Sequence, residues 1–233
     1  MKLIHIILLS ITIAVFYFLP NFFSSEDPIL TAQRHLKEGK AFLAEDNPWK
    51  ARQSFHLAAK FDPNSVEARF LHGTTQLSLK YFQDAINDFT ECLMLDPNNG
   101  NAYYNRAIGF ANMSNFQSAV VDFTMALELN PQDVAAYRDR GVAKQKLGDT
   151  IGALNDFRQA VQLNPNYIEA QVSLGYLLVQ KESISEGLKH LNLAASLDPQ
   201  VRENFTTSNT CGLLWSESHE QIIHTPCEQI FPQ

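Results

Sequence analysis

The sequence predicts an all-α fold: a right-handed solenoid of five helix–turn–helix repeats behind an apolar amino-terminal segment. Three observations predict it. Proline recurs at Pro63, Pro97, Pro131, Pro165 and Pro199, each 34 residues after the last. A fixed period in this range is the mark of stacked repeats, each too small to bury its apolar face alone. Within the period, small and large apolar residues hold fixed places. Finally, the apolar spacing inside each period is helical, with two amphipathic stretches either side of a short polar turn, as in Gly100–Pro131 around Ser114-Asn115.

Let each unit end two residues after its proline. Position 8 is then Gly39, Gly73, Ala107, Gly141 and Gly175, and position 20 is Ala51, Ala85, Ala119, Ala153 and Gly187. Small residues at both places let the two helices of a unit approach closely. Position 24 is Phe55, Phe89, Phe123, Phe157 and Leu191, large enough to fill the space between them. Position 27 is small again (Ala58, Cys92, Ala126, Ala160, Ala194), and position 30 is Phe61, Leu95, Leu129, Leu163 and Leu197. Proline ends each second helix, because the residue before it avoids the α region. That residue is always Asp or Asn, as a turn favours.

This pattern resembles the tetratricopeptide repeat family in five consecutive units, over roughly Ala32 to Val201. The departures are few. The aromatic usual at position 4 is present as Tyr103 and Tyr137 but is His35, Arg69 and Gln171 elsewhere. The last unit has Gly187 and Leu191 where Ala and an aromatic are typical, as terminal units with one neighbour allow.

Taken in order, the chain divides at 1–25, 26–201 and 202–233. Leu3–Leu19 is an almost unbroken apolar run, close to the shortest length that spans a bilayer. A cleaved signal peptide and an uncleaved signal anchor compete here. A cut after Ser24 or Ser25 would need small residues where Phe22 and Phe23 stand, so the anchor fits better. Lys2 on one flank and Glu26-Asp27 on the other keep the amino terminus cytoplasmic and put the repeats on the periplasmic, lumenal or extracellular side. Helices are expected at 28–45, 48–61, 65–79, 82–95, 99–113, 116–129, 133–147, 150–163, 167–181 and 184–197. Asp27-Pro28 and Asn47-Pro48 each supply an N-cap and a first-turn proline.

In the family that this chain resembles, the first helices of successive units line a concave groove. Positions 2, 5, 9 and 12 share one helical face. The candidate groove residues are Phe70, Leu77, Tyr104, Asn105, Ile108, Arg138, Val142 and Tyr176. An apolar, aromatic surface with one cation suits an extended or helical peptide, although some of these side chains could simply pack between adjacent helices. The carboxylate clamp that some family members use for acidic chaperone tails needs cations and amides that this sequence lacks. Phe70 and Thr74 precede Asn105, and Ala135 and Asp139 follow it, with Asp139 set to repel a carboxylate.

Beyond the repeats, Leu213, Leu214 and Trp215 are read as a cover for the last unit, with a partner-binding tail as the alternative. Cys92 takes a packing position, whereas Cys211 and Cys227 are a disulfide candidate in an oxidising space and two free thiols in a reducing one. His219 and His224 are five residues apart, about 140° around a helix, and so cannot share one metal from a regular helix. His35, His56, His72 and His190 lie on repeat helices without an evident acid–base partner. No phosphate loop, paired-cysteine motif or nucleophile elbow is present, and a net charge of −7 argues against a nucleic-acid surface. The expectation is a non-enzymatic scaffold without cofactor or metal. It is held to a membrane by its amino-terminal helix and binds a protein or peptide partner; the alternative is a self-assembling homo-oligomer.

Overall fold

A computed structural model of the chain describes residues 27–201. The expectations for 1–25 and for 202–233, including the anchor, Cys211, Cys227, His219 and His224, fall outside the described residues. Ten α-helices make up the described part: α1 (Pro28–Ala44), α2 (Pro48–Phe61), α3 (Val66–Ser78), α4 (Phe82–Leu95), α5 (Gly100–Asn112), α6 (Phe116–Leu129), α7 (Val134–Lys146), α8 (Thr150–Leu163), α9 (Ile168–Gln180) and α10 (Ile184–Leu197). The second helices keep the expected bounds. The first helices of the last four units each start and stop one residue inside them, because the outermost residues act as caps. Ser65, Asn99 and Asp133 accept hydrogen bonds from the N–H groups of Ala68, Ala102 and Ala136. Such a cap contributes about 1 kcal/mol.

The helices form two compact units that divide between Pro97 and Asn98. The first holds the hairpins α1/α2 and α3/α4, joined through α2 against α3. The second holds α5/α6, α7/α8 and α9/α10, joined through α6 against α7 and α8 against α9. Inside every hairpin, position 24 is the centre of the core. Phe55, Phe89, Phe123, Phe157 and Leu191 are all essentially inaccessible, as are Ala51, Ala85, Ala119 and Ala153 beside them. Leu191 and Gly187 in the last hairpin are one adjustment rather than two. A Cβ at Gly187 would stand 2.6 Å from the Gly175 carbonyl oxygen, so α9 and α10 meet backbone to backbone. The narrower gap takes Leu in place of Phe.

Position 30 behaves differently from the rest of the pattern. Phe61, Leu95, Leu129 and Leu197 are exposed, since each lies at the rim of its hairpin. The Leu129 side chain flanks Gly100 at the start of α5, and the Phe61 ring stacks on His35 at 5.8 Å. Four of the Asp and Asn residues before the prolines share a task. Asp62, Asn130, Asn164 and Asp198 accept from the N–H two residues on, which bridges the proline and sets up the next helix.

The turn inside each hairpin carries a second 34-residue rhythm. Asp46, Lys80, Ser114, Gly148 and Glu182 all have positive φ, between 54° and 82°. The residue after each donates its N–H to a carbonyl five residues back, as Asn115 does to Phe110 at 2.8 Å. This is the Schellman ending, in which a left-handed residue lets the chain reverse while capping the last carbonyls. Only one of the five is glycine.

Candidate functional site

The face expected to bind a partner is assembled on the first helix of each hairpin. Every candidate residue is half-buried: Phe70 and Leu77 in the first unit, and Tyr104, Asn105, Ile108, Arg138, Val142 and Tyr176 in the second. Half-burial follows from position. Residues at 5 and 9 sit at the edge of the helical stripe whose centre packs on the second helix. Phe70 thus meets Phe89 edge-on at 5.8 Å, and Tyr104 meets Phe123 the same way at 5.6 Å. Ile108 leans on the buried cluster around Ala107, Phe123 and Ala143, and Val142 on the one around Phe157 and Leu177. These side chains therefore serve packing and surface at once. In the first unit the face also carries an ion pair, Lys40 Nζ donating to Glu67 Oε1 at 2.6 Å.

In the second unit the polar members join into one network. Tyr104 Oη donates to Asp139 Oδ2 at 2.7 Å, and Arg138 Nη1 donates to Asp139 Oδ1 at 2.6 Å. Asp139 is thus spoken for on both oxygens, rather than the bare repelling charge that the sequence suggests. Burial, and then the negative charge of Asp139, push the Tyr104 phenol well above its usual range, so it stays a donor at any physiological pH. Burial also raises the Tyr167 phenol, helped by Glu169 and Asp139. One donor is left over: Arg138 Nε is buried and makes no hydrogen bond. A buried donor of this kind carries a desolvation cost, while the Arg138 side chain as a whole stays 33% exposed.

Sequence reasoning missed the polar struts inside the hairpins. Arg106 grips Asp122 through Nε at 2.7 Å and Nη2 at 2.9 Å, and its guanidinium lies over the Tyr103 ring at 5.6 Å. One period later Arg140 holds Asp156 the same way and lies over Tyr137, with Lys144 adding a third contact to Asp156. One period earlier the strut is His72 Nδ1 with Asp88 Oδ2 at 2.9 Å. The signal was present as a basic residue at 72, 106 and 140 facing Asp at 88, 122 and 156. These contacts correct the reading that the repeat histidines lack partners. His72 has Asp88, His35 has Glu38 at 2.9 Å, and His190 Nδ1 lies 2.6 Å from Gln171 Oε1. Each bond is to a structural neighbour. Cys92 is buried as expected, and burial pushes its thiol up to about 11.

Hairpins built to one plan, with the same turns and the same central packing, define a helical-repeat protein. Residues 66–99 and 134–167 match one description of the tetratricopeptide repeat and residues 100–133 another, so 66–167 are tetratricopeptide repeats. The hairpins α1/α2 and α9/α10 lie outside the matched spans but share the geometry. Over 66 residues the chain is 29% identical to the human mitochondrial import receptor subunit TOM70, a stretch that is 28% of this chain and 11% of that protein. Among solved structures it is similar to MamA from Desulfovibrio magneticus RS-1, with a TM-score of 0.69 and 21% identity over 73% of this chain and 96% of that one. It is also similar to YrrB, described as a TPR protein with an unusual peptide-binding site, with a TM-score of 0.63 and 18% identity over 75% and 90% of the two chains. At these identities the likeness is one of fold. No helix among the described residues is long and apolar enough to cross a membrane.

Proposed function

We propose that this protein is a non-enzymatic adaptor whose first-helix face, between Tyr104 and Tyr176, holds a peptide segment of a partner protein. The observation that carries the reading is the partly exposed Arg138 guanidinium, held by Asp139 beside Tyr104 among half-buried apolar side chains. The apolar flanks Ile108, Val142 and Tyr176 would take the partner's side chains, and Arg138 would take an acceptor oxygen. The peptide-binding description of YrrB is in keeping with this.

The test is a displayed random-peptide selection on the purified full chain, followed by fluorescence anisotropy of the selected peptides. Arg138→Met keeps the packing stem and removes the donors. It should weaken binding about tenfold or more, the cost of a modest interface anchor. Peptides that bind Arg138→Met and Tyr104→Ala as well as the wild type refute the groove. Sedimentation at several concentrations separates this reading from self-assembly, in which mass grows with concentration.

The location is part of the proposal. The apolar run Leu3–Leu19 and the single flanking Lys2 support a signal anchor that puts the repeats beyond the cytoplasm. A reporter fused after Gln233, together with thiol labelling of Cys211 and Cys227, checks both points. A cytoplasmic reporter with freely reacting thiols overturns them.

A further inference from the structure

The first unit contains a polar cavity away from the first-helix face. Its volume is about 860 Å³, and it is lined from α2, α3 and α4 by residues that include His56, His72, Gln76 and Asp88. This is the place where the hairpin strut is histidine instead of arginine. Substituting an imidazole for a guanidinium changes what the position can do, because an imidazole offers a lone pair and a guanidinium has none.

Three features of the cavity point the same way. First, Asp88 Oδ2 lies 2.9 Å from His72 Nδ1. Gln76 Nε2 also lies 3.3 Å from His72 Nδ1; in the Nδ1–H tautomer Asp88 is the proton's partner and Nε2 carries the lone pair, the arrangement found behind metal-bound histidines. Second, the His56 and His72 rings are 5.5 Å apart between centroids and inclined at 51°. Two imidazoles on one tetrahedral ion, with metal–nitrogen bonds of about 2.0–2.1 Å, have ring centres about 5 Å apart. Third, Gln76 donates its amide hydrogen to Asp88 Oδ2 at 2.6 Å, while its Oε1 is buried and makes no hydrogen bond. An acceptor left in a cavity beside a free imidazole lone pair suits a water carried by an ion.

We propose that His56 and His72 bind one divalent transition-metal ion of the imidazole-preferring class, such as zinc, in this cavity. No three His, Cys, Asp or Glu side chains among the described residues are arranged to hold an ion. The ligand set is therefore two imidazoles completed by water, with Gln76 Oε1 accepting from a bound water. Two protein ligands leave the ion open to a further donor. The cations that line the cavity are Arg69, paired with Glu91, Arg52, stacked over the Tyr81 ring at 5.0 Å, and Lys60; against them stand Asp84, Asp88 and Glu91.

The test is calorimetric titration of zinc chloride into the full reduced chain, beside His56→Ala. His56 is exposed, so its removal leaves the packing intact. Cys211, His219, His224 and Cys227 are other thiol and imidazole donors, so Cys211→Ser/Cys227→Ser serves as the background for both. The expected result is one fewer zinc per chain in His56→Ala, with the imidazole NMR signals of His56 and His72 moving together on titration of the parent. Asp88→Asn should weaken the site about tenfold or more through loss of the tautomer-holding carboxylate. Equal zinc binding by the parent and His56→Ala, or imidazole signals that do not move, overturns the proposal.

Discussion

The left-handed turn residues make a quantitative test of how the hairpins are closed. Gly148 has φ +82°, and a Cβ built on it meets nothing within 4 Å. Gly148→Ala therefore changes backbone energetics alone. A left-handed conformation costs a non-glycine residue roughly 1–2 kcal/mol. Against this, alanine loses roughly 0.5–1 kcal/mol less conformational entropy on folding. The difference predicts a destabilisation of about 0.5–1 kcal/mol. Lys80, at φ +64° in the equivalent turn, is the mirror case: Lys80→Gly should stabilise by a similar amount. Urea denaturation followed by circular dichroism reads both, as opposite shifts of the midpoint at constant slope. Movement of both in the same direction, or no movement in Gly148→Ala, would refute the claim that these turns hold left-handed strain.

Other consequences are as direct. Arg106→Ala leaves Asp122, only 4% exposed, without its bidentate partner, and should cost about 3–5 kcal/mol. Arg106→Ala/Asp122→Ala should recover part of that loss in the same denaturation assay. With Cys211 and Cys227 replaced by Ser, the Cys92 thiol should resist Ellman's reagent at pH 8 in the native state and react once urea unfolds the chain, because burial holds it near 11. His190 is lowered from its usual value, first by burial and secondarily by the Arg158 charge, against an opposing pull from Glu186. The neutral ring is thus favoured in the folded state. Its contribution is full above the unfolded value of about 6.5 and is lost as pH falls toward the lowered folded value. His190→Gln should flatten the stability profile between pH 7 and 5, which thermal melts would show.

The fold was legible because packing imposes residue size at fixed intervals. Ala85, Phe89 and Cys92 could be placed from the period alone, and so could the proline that ends each second helix. The turn at Ser114-Asn115 could be placed from its polar break, but the left-handed state of the turns was not legible, since Asp46, Lys80, Ser114 and Glu182 share a backbone state but no chemistry; a lone glycine at 148 gives little away. The struts hid for another reason. Arg106 and Asp122 are unremarkable charges until the helices bring them together, and their repetition at 140/156 and 72/88 is visible only when the units are aligned for polar residues as well as apolar ones. The candidate face was found as a set of positions. That Asp139 ties Tyr104 to Arg138 and leaves Nε over depends on side-chain directions that spacing does not carry.

The struts also bear on how the chain acquires its structure. Each joins residues only 16 apart, as the core phenylalanines join theirs within one hairpin. Closing so short a loop costs little entropy, and contacts local in sequence form quickly. A nascent chain can thus bring the two helices of such a hairpin together early, and the apolar face is then buried as the next period stacks on it. The same locality would let a whole period be lost or duplicated during evolution without severing any strut, whereas a shorter deletion between a basic residue and its aspartate would break their 16-residue spacing.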